Sequence, residues 1–384
     1  MNVEDLIAAA TAQTGLRNFG DPKILEGLDL LLKGYREEAR LSQMGSQMAH
    51  ADLVTSMAIR MKVEDWLDRH PELLDRPIEK PMFVFGLPRT GTTLMINLLH
   101  ADPARRSFLR WEAYDPVPPP KSEELHAGPR YAVAQAKSEM SLDLVPHITA
   151  IHFENADSPT ECQFLMTPSF CAQVYEALAD IPTYRNWLLH KADYLPAFRF
   201  HKRFLQLLQA DAPGRWTLKN PWHPLFLDAL TTVYPDAQLV MTHRDPADVV
   251  GSCCSLIKHV RQLHSDHVDL EDIGRSMVDT FSLMIERMLA YKARNGWDSI
   301  FDVQYADTVR DPIGTVQRIY DHFGEPFTPE AEAAMNTYIA DNPKGKHGAH
   351  SYALEEYGLT KEAVHARFGE YIDRFAIPVK TDAA

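Results

Sequence analysis

The chain has 384 residues, of which 45% are hydrophobic and 24% charged, a composition typical of soluble globular proteins and not of disordered, collagenous or coiled-coil chains. Its 39 Lys and Arg residues against 53 Asp and Glu residues give a formal net charge of −14, which disfavours nonspecific binding to nucleic acid or to an anionic membrane. An anionic ligand therefore requires a local basic pocket.

The sequence shows no pattern typical of a membrane span, a secretory signal or a CxxC motif. No uncharged stretch reaches the roughly 20 residues that cross a bilayer, which predicts no membrane span. The acidic residues Glu4 and Asp5 precede the first basic one, Arg17, against the charge order of a secretory signal. The four cysteines show no CxxC spacing. We therefore expect a cytoplasmic protein with reduced, mostly buried cysteines and no metal site.

Residues 1–79 are predicted to be helical. Asp21 and Pro22 are suited to a helix start, and the apolar residues that follow fall on one stripe. These residues are Ile24, Leu25, Leu28, Leu31, Leu32 and Tyr35. We expect this helical segment to pack on the body of the fold, residues 80–384, or against a second subunit of a homodimer.

Strand, loop and helix signals alternate after residue 80. Apolar runs at 82–85 and 238–242, with a weaker one at 300–303, predict strands, and the first is followed by a helical pattern at 92–99. The pattern predicts an α/β fold of three layers, a P-loop-type parallel sheet flanked by helices, with a helical N-terminal extension. The irregular segments 115–120 and 146–167 are candidates for binding walls.

A glycine-rich loop joins the first strand to its helix. Residues 86–93 read GLPRTGTT and match the GxxxxG part of a phosphate-binding loop, in which backbone N–H groups and a helix start surround an anion. Arg89 adds a charged donor. Thr92 occupies the position of the lysine that contacts ATP in P-loop enzymes, so a nucleotide with fewer phosphates fits better than a magnesium triphosphate.

The segment FGLPRTGTTLMINLL resembles the 5′-phosphosulfate loop of sulfotransferases that use 3′-phosphoadenosine-5′-phosphosulfate (PAPS), above all their bacterial and tyrosylprotein branches. The resemblance implies that Arg89 holds the 5′-phosphate. It also implies a surrounding cradle formed by Pro88, Thr90, Gly91, Thr92 and Thr93.

A second segment, LVMTHRDPADVVGSCCSL, resembles the 3′-phosphate signature of the same family, which implies this role for Arg244 and Ser252. From the residues alone, Arg244 leaves a strand, Asp245 caps a helix, and Ser252 lies about 10 Å further along that helix. One ligand beside the helix start can therefore reach both side chains.

The carboxyl-terminal segment NPKGKHG resembles the basic loop that closes over the 3′-phosphate. The resemblance implies Lys344, Lys346 or His347 as the contact and leaves the register open. The residues that follow, 352–375, are predicted to form an amphipathic closing helix.

The segment WTLKNPWH at 216–223 is similar to the family segment that reads LKxPxH. The similarity implies that Lys219 points into the site from a strand end. A lysine there would stabilise the negative charge that develops on the departing phosphate.

The general base has two leading candidates. Glu112 lies where the bacterial and tyrosylprotein branches use a glutamate, although its spacing is two residues longer than in the tyrosylprotein pattern. His223 follows Lys219 by four residues where the cytosolic branch has two. A helix starting at residues 220–221 would lower the pKa of His223 and favour its neutral form. We favour Glu112 over His223, and we rank both above the three weaker candidates His147, His152 and Glu161.

These observations predict a sulfotransferase that moves a sulfuryl group from PAPS to a hydroxyl or amine of a small-molecule acceptor and releases the 3′,5′-bisphosphate PAP. Transfer is expected to be direct and in line, without a metal or a covalent enzyme intermediate. The competing hypotheses are a P-loop ATP-dependent kinase or NTPase and a non-catalytic nucleotide-binding module. The acceptor and the oligomeric state stay open.

Overall fold

The computed structural model describes residues 1–144, 155–343 and 352–379, with positions 140–144 described by their backbone. A five-stranded parallel sheet lies at its centre. Its strands are β1 (Met82–Gly86), β2 (Arg105–Ser107), β3 (Arg215–Lys219), β4 (Gln238–His243) and β5 (Phe301–Gln304). Their order in the sheet is β2-β3-β1-β4-β5. The predicted parallel α/β sheet is confirmed.

The helices of the described residues surround this sheet. They are α1 (Val3–Thr14), α2 (Ile24–Glu37), α3 (Gln43–Arg69), α4 (Thr92–Ala101), α5 (Pro129–Leu144), α6 (Gln163–Met166), α7 (Val174–Leu178), α8 (Pro182–His190), α9 (Leu195–Leu208), α10 (Leu227–Val233), α11 (Pro246–Gln262), α12 (Leu270–Asn295), α13 (Tyr305–Arg310), α14 (Pro312–Phe323), α15 (Pro329–Asp341), α16 (Lys361–Arg367) and α17 (Gly369–Arg374).

Side chains of β1 alternate between two hydrophobic cores, as a strand buried on both faces requires. Phe83 and Phe85 join the core that also contains buried residues of α2, α3, α9 and α12. Met82 and Val84 join a smaller core on the opposite face, with residues of α4, α14 and α15. The three layers are therefore helices, sheet and helices.

The N-terminal helices share the larger core. The apolar stripe of α2 is buried, and Leu53 and Met57 of the long helix α3 are fully buried in the same cluster as Phe83. Residues 1–79 thus pack on the α/β body through one continuous hydrophobic core. None of the helices in the described ranges is long and apolar enough to cross a membrane.

The strand order places a crevice beside β1. The chain pairs β1 with β3 on one side and with β4 on the other, at Val84↔Lys219 and Val84↔Val240. Ligands of open parallel sheets bind at the carboxyl ends of strands where the order reverses. The loop after β1, the end of β3 and the end of β4 all lie at this point.

Two predicted helices differ from the structure. The predicted closing helix is divided into a 3-10 turn (Leu354–Tyr357), α16 and α17, because Gly358 adopts a left-handed φ of 66° that ends the first piece. The helix expected from residue 221 does not form. His223 instead opens a 3-10 turn with Pro224 in its first turn, and α10 begins only at Leu227.

Candidate active site

The loop between β1 and α4 has the backbone that an anion cradle requires. Gly91 has a φ of 91°, and a Cβ atom there would lie 2.7 Å from the ring of Tyr305, so any other residue would be strained and would displace that ring. Helix α4 begins at Thr92 without a side-chain cap. The first N–H groups of this helix can therefore donate to a bound anion.

Thr90 supports the loop from behind. Its buried hydroxyl donates to the carbonyl of Leu87 at 2.7 Å and shares a 2.6 Å hydrogen bond with the hydroxyl of Thr242 on β4. The other predicted cradle residues, Pro88, Arg89, Gly91, Thr92 and Thr93, line the cavity described below. Thr90 thus fixes the loop on the sheet, and its neighbours face the cavity.

Arg89, Arg244 and Ser252 come together although they lie in separate sequence segments. The Nε atom of Arg89 donates to the Ser252 hydroxyl at 3.1 Å. Arg244 donates through Nη1 to the Arg89 carbonyl at 3.0 Å and through Nη2 to Asp248 at 3.0 Å. Its guanidinium also lies 4.6 Å from the ring centre of Tyr305.

The hydrogen bonds that join Arg89 to Ser252 and Arg244 stabilise an unusual backbone conformation at Arg89 and bring two positive charges together. Arg89 adopts a φ of 73°, which costs a non-glycine residue about 1 kcal/mol or more and must be held by its surroundings. Burial lowers the pKa of Arg89, and the charge of Arg244 lowers it further. A bound anion would relieve this repulsion between the two guanidinium groups.

A cavity of about 630 Å³ extends from the anion loop. Its lining includes Met48, Asp52, Thr55, Ser56 and Ile59 of α3, and Leu256, Ile257 and Val260 of α11. Further lining residues include Arg110, Tyr114, Phe164, Tyr175, Leu178 and Trp222. The contribution of α3 to the cavity lining was not predicted from the sequence, where its only indication is the helical spacing of the lining residues on α3.

Glu112, the favoured base, does not face this cavity. Its carboxylate is fully buried (0% exposed) and accepts from Arg106 at 2.5 and 3.2 Å and from the Leu109 N–H at 2.9 Å. Arg110, two residues earlier, lines the cavity instead. Glu112 is therefore held in a buried ion pair with Arg106.

His223, the second candidate, is also turned away from the cavity. It is 0% exposed, and neither ring nitrogen has a hydrogen-bond partner among the described residues. The rings of Phe83, Phe85, Phe198 and Phe226 surround it. Burial, and not the expected helix start, lowers the pKa of His223 well below its usual value.

Lys219 lies at the end of β3 and forms an ion pair with Glu161. Lys219 is only 1% exposed, and its Nζ atom lies 3.3 Å from Oε1 of Glu161. Gln163 donates to the other carboxylate oxygen of Glu161. Glu161, one of the weaker candidates for the base, lines the cavity. The remaining predicted site residues, His147, His152, Lys344, Lys346 and His347, lie outside the described residues.

Comparison with known proteins decides the family. A model of the sulfotransferase family matches residues 81–329. The chain belongs to the sulfotransferase family. Among solved structures, sulfotransferase STF9 from Mycobacterium avium is 35% identical, with a TM-score of 0.93 over 98% of this chain and 97% of that one. Sulfotransferase STF1 from Mycobacterium tuberculosis H37Rv is 38% identical, with a TM-score of 0.87 over 96% and 99% of the two chains.

A more distant relative carries a named substrate. The omega-hydroxy-beta-dihydromenaquinone-9 sulfotransferase Stf3 of Mycobacterium bovis is 23% identical over 309 residues, which cover 77% of this chain and 75% of that relative. The prediction of a sulfotransferase is therefore confirmed. The family match begins at residue 81, so the cavity wall formed by α3 of this sulfotransferase lies outside it.

Proposed function

We propose that this sulfotransferase uses PAPS as its sulfuryl donor and transfers the group to a hydroxyl of a small molecule with an apolar body. The observation that carries the proposal is the junction of Arg89, Arg244 and Ser252 beside the anion loop. This junction supplies two guanidinium groups at the ends of two neighbouring parallel strands, where a donor with phosphates at two positions would be held.

The loop residues suit the 5′ end of the donor. The uncapped start of α4 and the hydroxyl groups of Thr92 and Thr93 offer donors to a phosphosulfate, and Arg89 offers a positive charge. Arg244 and Ser252 suit the 3′-phosphate. Charge-assisted hydrogen bonds of this kind contribute about 1.5 to 3 kcal/mol each.

The same residues argue against a kinase. Thr92 stands where a P-loop kinase or NTPase has its lysine, and the positive charges lie at Arg89 and Arg244 instead. A non-catalytic binding module has no need of the lined cavity beyond the loop. The proposed reaction uses both the anion cradle and that cavity.

The acceptor is inferred from the cavity walls. Met48 and Ile59 of α3 and Leu256, Ile257 and Val260 of α11 all line a space large enough for a drug-sized molecule. These walls favour an apolar acceptor body. The named substrate of Stf3, a hydroxylated menaquinone derivative, has this character. We therefore propose a hydroxyl-bearing acceptor with an extended apolar part.

The thiols support the proposed cytoplasmic setting. Cys162, Cys171, Cys253 and Cys254 are buried and free, as expected in a reducing cytoplasm, where we place the enzyme. The predicted homodimer stays a prediction; sedimentation at several protein concentrations will test it.

An acceptor screen tests the proposed function. The wild-type enzyme is incubated with sulfur-labelled PAPS and a set of alcohols and phenols that range from polar to strongly apolar, and products are identified by mass spectrometry. We expect sulfated product and a preference for apolar acceptors. Tight binding of PAP without any sulfated product would support a non-catalytic binding module, and hydrolysis of ATP would support the NTPase.

A further inference from the structure

We infer that Glu161 is the general base of the transfer and that Lys219 is the positioning residue that holds it. This inference rests on the proposed function. The two residues form an ion pair, and Glu161 is the member that lines the cavity.

The backbone places this ion pair beside the anion loop. Lys219 pairs with Val84 of β1, two residues before that strand ends and the loop begins. The Cys162 N–H donates to the Lys219 carbonyl at 2.7 Å, and Glu161 forms a parallel bridge with Lys219. Glu161 is therefore joined through β3 to the strand that carries the anion cradle.

The carboxylate of Glu161 is also fixed in orientation. Lys219 lies 3.3 Å from Oε1, and the Gln163 amide donates to Oε2. A base must present a lone pair at a defined position to act in the transition state. Two contacts from different directions provide this, and each oxygen keeps a lone pair for an acceptor in the cavity.

Other groups near the cavity are less suited to this role. Asp52 lies on α3, which is not joined to the anion loop through the sheet, and burial raises its pKa, which favours its protonated form. Burial raises the pKa of Cys253 to about 12. Glu112 and His223 are buried away from the cavity. Glu161 combines cavity exposure, a fixed carboxylate and connection to the loop.

The proposed step balances as follows. The acceptor hydroxyl gives its proton to an oxygen of Glu161 while its own oxygen forms a bond to sulfur. The bond between sulfur and the bridging oxygen of the donor breaks, and its electron pair stays on the departing phosphate. Throughout this step Lys219 holds the carboxyl group of Glu161 in place.

Glu161→Gln tests the base directly, because it keeps shape and removes the proton acceptor. We expect kcat to fall about 10²- to 10⁴-fold and PAP affinity, measured by calorimetry, to change less than about threefold. The loss should shrink for acidic phenols, which are ionised before they bind. A kcat near the wild-type value would overturn the assignment, as would an equal loss for all phenols.

Glu161→Asp and Asp52→Asn complete the comparison. Glu161→Asp keeps a carboxylate, although a shorter one, and should be more active than Glu161→Gln; equal activity of the two variants would count against the base role. If Asp52→Asn alone abolishes turnover, Asp52 is the base and the inference is wrong. Absence of sulfated product from the wild-type enzyme would instead contradict the proposed function, so the two failures are distinct.

Lys219 is tested by separating kcat from KM. Lys219→Met should lower kcat while the acceptor KM changes little, because the lysine acts by holding the carboxylate of Glu161 in place. Lys219→Arg keeps a cation and should restore part of the activity. Equal defects in both variants, or a rise in KM alone, would assign Lys219 a purely structural role.

Discussion

Arg106 and Glu112 form a buried bidentate ion pair, with Nη2 2.5 Å from Oε1 and Nη1 3.2 Å from Oε2. The Arg106 guanidinium also lies 4.4 Å from the ring centre of Trp216, and it donates to the Ala212 carbonyl at 2.8 Å. The pair therefore ties the segment after β2 to the end of α9 and the start of β3.

Glu112→Gln should destabilise the fold and spare the chemistry. The change leaves the buried Arg106 charge without its counter-charge, which costs about 3 to 5 kcal/mol. Urea unfolding measures this loss, and kcat per folded molecule should stay within about threefold of wild type. Exposed Glu123→Gln serves as the control with unchanged stability. A catalytic defect in a Glu112→Gln protein of normal stability would return Glu112 to the role of base.

Arg244→Ala should remove most of the preference for 3′-phosphorylated nucleotides. Loss of one charged contact to the 3′-phosphate is expected to cost about 1.5 to 3 kcal/mol, or roughly 10- to 150-fold in affinity. Calorimetry with PAP and with AMP, for the wild type and the variant, measures the preference. Exposed Arg275→Ala is the control. Equal affinity of the wild-type enzyme for PAP and AMP would refute the 3′-phosphate assignment of Arg244 and Ser252.

Gly91→Ala should weaken donor binding. The Cβ atom would meet the Tyr305 ring at 2.7 Å, and the φ of 91° is strained for alanine. We expect a loss of about 1 to 2 kcal/mol or more in PAP affinity. Gly296→Ala is a matched control, since Gly296 has a φ of 97° with no atom within 4 Å of the added Cβ. It should cost stability but leave PAP affinity unchanged.

The fold was largely predictable because its signals are local. The apolar runs of β1 and β4 mark buried strands, and the glycine spacing marks the loop between β1 and α4. Strand β2 was not predicted, because its residues, Arg105–Ser107, show no apolar pattern. Its arginines are buried through partners distant in sequence, such as Tyr320 for Arg105.

The positions of the candidate site residues were predictable only where a motif determines the backbone. Arg89 and Arg244 lie together at the cavity, as expected, because a loop and a strand end place them. The direction of a side chain in an irregular segment depends on tertiary partners, so Arg106 turns Glu112 inward and leaves Arg110 in the cavity wall. The role of α3 likewise depends on how it packs on the body, which no local pattern encodes.

Chelators should leave activity unchanged. In our proposal the negative charge of the donor is balanced by Arg89, Arg244 and the start of α4. Thr92 also stands where magnesium-dependent P-loop enzymes have a lysine. Turnover measured with and without EDTA checks this. Loss of activity that added magnesium restores would contradict a metal-free transfer.

Acid should destabilise the protein through two buried histidines. Burial lowers the pKa of His201 to about 3 and that of His223 well below its usual value, whereas both return to about 6.5 in the unfolded chain. Below pH 6.5 the unfolded state therefore binds more protons, and each histidine removes up to about 1.4 kcal/mol of stability per pH unit. The free energy of unfolding is therefore highest above about pH 6.5, where both histidines are neutral in either state. It decreases as the pH falls toward the lowered pKa values of the folded state.

The measurement is the free energy of unfolding in urea between pH 7.5 and pH 5, a range chosen to lie mostly above carboxyl titration. His223→Phe places an apolar ring among Phe83, Phe198 and Phe226, and should reduce the slope of stability against pH by about one proton. His190→Asn, at an exposed position, should keep the wild-type slope. The slope is the decisive quantity, because the larger ring of phenylalanine can change absolute stability at every pH. A wild-type slope in His223→Phe would show that His223 is already protonated in the folded protein, in conflict with its apolar surroundings.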